Sequence, residues 1–221
     1  MNTLILLSGG QDSTTSLYWA KNRFKEVTAL FIDYRQRHRI EKESAIKVAH
    51  LASTPIGVIN TDIISDIGDS SLVTAGDISN LHRTGKLPAS FVPGRNLLFL
   101  TIAAMYAYKH NIHNIVTGVC QTDYSGYPDC RDITIKSMQI SLSLAMEYDF
   151  IIHTPLMWKT KQETVKMAMS LPGCGSALAW THTCYEGKVP PCGECPACKL
   201  RAKGFEEAGV KDPLISRLEN E

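Results

Sequence analysis

The stretch Leu4-Ile5-Leu6-Leu7-Ser8-Gly9-Gly10-Gln11-Asp12-Ser13, continuing into Thr14-Thr15-Ser16-Leu17-Tyr18-Trp19-Ala20, decides the fold. Four unbroken apolar residues ending in a polar turn read as a short strand covered on both faces, which is the habit of a parallel sheet. Gly9 and Gly10 then allow positive φ and let a ligand approach the backbone with no Cβ in the way. Asp12 or Ser13 is placed to cap the helix that follows. Successive amide N–H groups at a helix N-terminus form a concave site for an anion, and phosphate is the obvious guest. A Walker A loop would end in Gly-Lys-Ser/Thr, but no lysine occurs before Lys21, so backbone and hydroxyl groups must do the holding.

Outward from this unit, strand and helix alternate with short connections. Val27 to Asp33 reads as a second buried strand, running into the polar turn Tyr34-Arg35-Gln36-Arg37-His38-Arg39. A helix over 40–51 carries Ala45, Val48 and Ala49 on one face, and Ile56 to Asn60 is a third strand. Between Asp62 and Pro93 the rhythm breaks into Ser, Thr, Gly and Asp, a long loop of the kind that serves as a lid or stays disordered. Its His82, Arg83 and Lys86 either reach phosphates or are solvated. Val92-Pro93-Gly94-Arg95-Asn96 closes it, with Asn96 as expected N-cap of an apolar helix over 97–109. A fourth strand is expected over 115–119, where Gly118 permits close approach to a ligand. The loop Cys120-Gln121-Thr122-Asp123-Tyr124-Ser125-Gly126-Tyr127-Pro128-Asp129-Cys130-Arg131 follows. Its carboxylates, tyrosines and arginine suit a planar ring read at its edge, or a plain polar surface. A helix over 132–148, a strand over 150–153 and a helix over 162–171 complete the pattern. The expectation is a doubly wound, five-stranded parallel α/β sheet.

At 221 residues the chain buries one substantial core. Lys plus Arg number 23 against 22 Asp plus Glu, so no whole-molecule field favours nucleic acid or an anionic membrane, and any anion site is local. The longest mostly apolar stretch, 97–108, is too short to span a bilayer. With no secretory leader pattern the expected location is cytoplasmic, where seven cysteines argue for metal or chemistry before disulfides.

Four of those cysteines, Cys184, Cys192, Cys195 and Cys198, have seven, two and two residues between them. Four thiolates so spaced can surround one tetrahedral ion, with Pro190, Pro191 and Gly193 supplying the bends. Zinc is favoured over an iron–sulfur cluster, and a redox Cys-x-x-Cys would not need the other two thiols. His182 is a possible substitute ligand. The role assigned is scaffold, dividing the chain into a nucleotide domain over 1–180 and a metal-binding element over 181–221 whose helix near Cys198 packs back on the body. Cys120, Cys130 and Cys174 read as buried small hydrophobes.

Ser-Gly-Gly-x-Asp-Ser resembles the pyrophosphatase loop of the N-type ATP pyrophosphatases, enzymes that cleave ATP between its α and β phosphates to adenylate a substrate. Together with the four-cysteine knuckle, Val-Pro-Gly-Arg-Asn and Asp-Tyr-Ser-Gly-Tyr-Pro-Asp-Cys-Arg, nearly the whole chain closely resembles the 7-cyano-7-deazaguanine synthase family. The resemblance implies a Rossmann-like fold, bound zinc, a homodimer, and ATP-dependent conversion of 7-carboxy-7-deazaguanine and ammonia to the nitrile in queuosine precursor synthesis. One departure is visible. The turn after the second strand commonly reads Tyr-Gly-Gln-Arg-His, and here Arg35 stands in place of the glycine.

The chemistry suggests roles. A carboxylate is a poor acceptor for ammonia until its oxygen attacks the α-phosphate of ATP, giving an acyl adenylate and pyrophosphate. Ser8, Gly9, Gly10, Gln11, Asp12, Ser13 and Thr14 are the expected nucleotide contacts, with Asp12 orienting the loop or a Mg2+ ion. Arg95, Lys159 and Lys161 are candidates for balancing charge in the transition state. Asp123 and Asp129 would accept from a guanine-like edge, with Tyr124 or Tyr127 on its face and Arg131 beside them. Rival readings are a tRNA-thiolating or amide-forming adenylating enzyme, a relative that attaches a deazaguanine to protein or DNA, and a zinc-knuckle binding module with a vestigial loop. Near-zero net charge speaks against tRNA, and the module would show no ATP affinity.

Overall fold

Alternating side chains on the central strands send apolar groups to both faces of the sheet, so helices must cover both. The computed structural model describes residues 1–35, 39–67, 87, 90–122 and 127–221. Along the chain come β1 (Asn2–Leu6), α1 (Gln11–Lys21), β2 (Glu26–Asp33), α2 (Ile40–Leu51), β3 (Ile56–Asn60), α3 (Ile63–Ile67), α4 (Arg95–Lys109), β4 (Asn114–Val116), α5 (Asp132–Met146), β5 (Ile151–His153), α6 (Lys161–Ser170), α7 (Cys174–Leu178), α8 (Pro196–Ala208) and α9 (Pro213–Leu218). The five strands pair in parallel in the order β3-β2-β1-β4-β5, with Ile5 opposite both Ala29 and Val116.

Ile5, Phe31 and Val116 face α1, α2, α6, α7 and α8, which contribute Leu17, Val48, Val165, Leu178 and Phe205. Leu4, Leu30, Ile32 and Ile115 face the other way, onto Leu100 and Ala104 of α4 and Ile135 and Leu142 of α5. The sheet is therefore doubly wound, as the alternating pattern predicts. The order in which strands are added reverses between β1 and β4, the switch point at which α/β sheets open a crevice beyond the carboxyl ends of their strands.

Several boundaries move for identifiable reasons. β4 stops at Val116 rather than Val119, because only Thr117 still donates to His153 O and the chain then turns away over α1. The first residues of the expected loop after Asp62 form the short helix α3. His82, Arg83 and Lys86, like Gln36, Arg37 and His38, lie outside the described residues. α4 begins at Arg95, preceded by Gly94 at φ 74, so Asn96 is inside the helix and not its cap. α6 starts on a capping box in which Thr160 and Glu163 each bond the other's backbone N–H. Among the described residues no helix is long and apolar enough to cross a membrane.

Candidate active site

The cleft opens where β1, β2 and β4 end, has a volume of about 350 Å³, and is walled by α4 on one side and by residues 182–201 on the other. That size suits a small-molecule site. Its floor is the loop after β1. Gly9 adopts φ +82, but the crowding that excludes a side chain there comes from the protein itself: a Cβ would sit 2.5 Å from Glu41 O and 2.7 Å from Ala45 N of α2. Gly118 lines the cleft and likewise makes room for the start of α1, a Cβ falling 2.9 Å from Ser13 N. Both glycines thus lock the phosphate loop in place. Gly10, which lines the cleft with Ser8, Gln11, Asp12 and Ser13, is the glycine with room around it.

Neither Asp12 nor Ser13 caps α1. Ser13 Oγ donates to Gly10 O at 3.1 Å, accepts from Ser8 N at 3.2 Å and lies 3.0 Å from Ser8 Oγ, bracing the turn. The first intrahelical bond is Thr14 N to Gly10 O, so the N–H groups of Gln11, Asp12 and Ser13 belong to the unpaired first turn that binds anions. Gln11 is 4% exposed and its Nε2 has no hydrogen-bond partner among the described residues, an unsatisfied donor in the cleft wall. Thr14 is wholly buried and is not among the residues lining the cleft.

Asp12 is turned to Lys161, which holds both carboxylate oxygens at 2.8 and 3.1 Å. Lys161 is the first residue of α6 and lines the cleft, whereas Lys159 stays outside it and offers its carbonyl to Cys120 Sγ and Thr122 Oγ1. Gly204 of α8 makes room for this lysine, since a Cβ there would lie 2.4 Å from Lys161 Cγ.

Arg95 enters from the first turn of α4. Burial opposes its charge, but Tyr34, Tyr127, Tyr185 and Asp129 outweigh that cost and its pKa is raised. Arg95 also hydrogen-bonds Tyr34, whose phenol is pushed up chiefly by burial. Asp129 is 5% exposed and accepts from Asn96 N at 3.1 Å, a carboxylate seated on the N-terminus of α4. Asp129 thus has a structural partner and is not among the residues lining the cleft. Asn96 Nδ2 also reaches Cys130 Sγ at 3.3 Å, so the Val-Pro-Gly-Arg-Asn turn and the Pro-Asp-Cys turn interlock. Tyr127 lines the cleft, with its hydroxyl 2.6 Å from Ser90 Oγ and its ring 5.6 Å from Phe91. Arg131 is exposed and outside the cleft; Asp123 and Tyr124 lie outside the described residues.

Of the remaining thiols, Cys174 is buried as expected and burial pushes its pKa up to about 12. Cys120 and Cys130 differ from expectation. Both are half-buried in the cleft wall, because the turns after β4 and before α5 face the crevice.

The sulfurs of Cys184, Cys192, Cys195 and Cys198 lie within 4.8 Å of one another, with Cys192 and Cys198 3.9 Å apart. A tetrahedral ion with metal–sulfur bonds of about 2.3 Å needs sulfur separations of about 3.8 Å, so this cluster fits a metal such as zinc. The N–H of Cys195, donated to Cys192 Sγ, lowers that thiol to about 7, while burial raises those of Cys195 and Cys198. His182 is not a ligand. Its Nε2 lies 2.9 Å from Cys184 O, and its backbone N–H donates to Gly9 O at 3.0 Å, fastening the metal element to the phosphate loop. Sequence reasoning missed Tyr34, His182, Thr183, Tyr185 and Arg201 as cleft residues. Their positions follow from long-range folding, and no local pattern marks them.

A sequence profile described as "Queuosine biosynthesis protein QueC" matches residues 2–209. The chain belongs to the QueC family. A 7-cyano-7-deazaguanine synthase from Chromobacterium violaceum is 51% identical over 99% of this chain and 94% of its own length. One of the same name from Laribacter hongkongensis is 49% identical over 98% and 95%. Among solved structures, a 4-thiouridine synthetase in complex with RNA and bound ATP aligns with TM-score 0.54 at 14% identity, over 99% of this chain and 52% of that one. A protein described as a predicted subunit of tRNA methyltransferase from Methanocaldococcus jannaschii gives 0.53 at 19%, over 76% and 74%. These two likenesses concern the fold. Arg35, in the turn after β2, sits at φ 57, where a side chain costs about 1–2 kcal/mol relative to glycine. Its N–H bonds Asp33 Oδ1 at 3.2 Å and its guanidinium pairs with Asp62 at 2.6 Å, local contacts that offset part of the cost.

Proposed function

We propose that this QueC-family enzyme converts 7-carboxy-7-deazaguanine and ammonia to 7-cyano-7-deazaguanine with two ATP, each cleaved to AMP and pyrophosphate. The observation that carries this reading is the meeting, in one cleft, of an anion-binding loop with the Asp12–Lys161 pair and Arg95. The amides of Gln11, Asp12 and Ser13 and the hydroxyls of Ser8 and Ser13 take the departing pyrophosphate. Lys161 and Arg95 balance charge at the α-phosphate as the carboxylate oxygen attacks it. Ammonia then displaces AMP to give the amide. The amide oxygen is adenylated in turn, and loss of AMP with two protons leaves the nitrile. Positioning and charge neutralisation do most of this work.

Tyr127 is the described residue of its loop best placed for the substrate ring. Mg2+ would arrive on the ATP phosphates, because Asp12 is already paired. The metal of the knuckle is proposed to be zinc in a structural role, with 1–180 as the nucleotide unit and 181–221 as the element docked on it. A homodimer in the cytoplasm, acting on free small molecules and not on nucleic acid, completes the proposal. Carboxylate doubly labelled with 18O tests the pathway, since each AMP should carry one label. Label appearing in pyrophosphate would overturn it.

Two substitutions probe the supports. Gly204→Ala should push Lys161 off Asp12 and lower AMP formation about tenfold or more, although alanine in place of helical glycine ordinarily gains about 1 kcal/mol. Wild-type turnover in that variant would remove Lys161 from the machinery. Arg35→Gly should leave turnover unchanged and shift stability by no more than about 1 kcal/mol, which chemical denaturation can read.

A further inference from the structure

The metal element supplies more than a scaffold to the cleft. Cys184 and Cys195 are 1% and 9% exposed in the cysteine cluster, and Tyr185, immediately after Cys184, packs against that cluster. Its backbone N–H bonds the sulfur of Cys195, and its side chain lines the same cleft as Arg95. Thr183 reaches the cleft from the other side of Cys184, held by Arg201 Nη1 at 3.0 Å. Arg201 is itself fixed by Asp212 at 2.6 and 2.8 Å, so this wall is anchored at both ends.

We infer that Tyr185 is a positioning residue: held at its backbone by the metal cluster, it closes the ring of phenols around Arg95 and so fixes that guanidinium toward the reacting anion. The inference rests on the proposed adenylation and extends it. Tyr34 comes from the end of β2, Tyr127 from the turn before α5, and Tyr185 from the knuckle. Arg95 is long and has four side-chain torsions to restrain, and a wall missing on one side would leave the guanidinium sampling positions away from the α-phosphate. The aromatic ring does this by its bulk, so phenylalanine should serve in its place. Correct ordering of the knuckle thereby becomes a condition for the chemistry, and metal loading and turnover are coupled through one side chain.

The test compares Tyr185→Ala and Tyr185→Phe in the full chain, both isolated with their metal and quantified for it by mass spectrometry. With metal content equal to wild type, Tyr185→Ala should lose about tenfold or more in kcat/KM for 7-carboxy-7-deazaguanine. Tyr185→Phe should stay within about threefold, and calorimetry should give both variants the wild-type affinity for ATP. Unchanged kcat/KM in a fully metallated alanine variant would overturn the inference. So would a loss that follows metal content alone, in which case Tyr185 serves only the knuckle. Should the alanine variant not retain metal, Tyr185→Leu keeps apolar contact with the cysteines but lacks the breadth of the ring, and the same two criteria apply to it. A wild-type enzyme forming no AMP would instead refute the proposed adenylation, which separates the two failures.

Discussion

Asp12→Ala should abolish AMP formation, lowering kcat by about 10² to 10³, while far-ultraviolet circular dichroism stays that of the wild type. Removing the carboxylate leaves Lys161, whose side chain is 12% exposed, without the two oxygens that orient it. Without that carboxylate to hold it, the ammonium is no longer fixed where phosphate charge develops. Lys161→Ala should cost a similar factor, and the double variant little more than either single one, because the pair acts as a unit. Additive losses would show two independent roles. Undiminished turnover in Asp12→Ala would sink the phosphate-loop assignment altogether.

Cys195→Ser should lose the bound metal and melt on the order of 10 °C lower. Metal binding at four-cysteine sites contributes on the order of 10 kcal/mol to local folding, although part of that is recovered by relaxation of the apo chain. Cys195 is also the residue from which α8 starts, with Pro196 in the first turn, so the substitution acts where α8 begins its packing on α6. The effect should reach the cleft, because His182 N–H to Gly9 O and the wall residues Thr183 and Tyr185 depend on the same element. Acid should release the metal from the wild type as well, since protons compete for the thiolates. A Cys195→Ser protein with full metal content would contradict the ligand set.

How much of this was legible beforehand depends on the reach of each interaction. The strands announced themselves through short apolar runs, and the alternation Leu4/Ile5 and Leu30/Phe31 put helices on both faces. The cysteine cluster was readable because its four members lie close in sequence. Capping at α4 was misread for the opposite reason: Asp129 lies 33 residues from the Asn96 N–H it binds, so Asn96 looked like a local cap. Gly9 and Gly118 were legible as necessary, but their packing against α2 and α1 was not, since it depends on where those helices dock. Lys159 and Lys161 were indistinguishable in sequence; the capping box at Thr160 starts the helix between them and turns only Lys161 into the cleft. Tyr185 gave no signal of its own, because its use depends on where the knuckle docks.

The most direct test of the central claim is nucleotide product analysis with the purified protein, ATP, Mg2+, ammonium and 7-carboxy-7-deazaguanine. AMP and pyrophosphate should form in equal amounts, two of each for every nitrile. ADP and phosphate, or AMP with no nitrile, would contradict it.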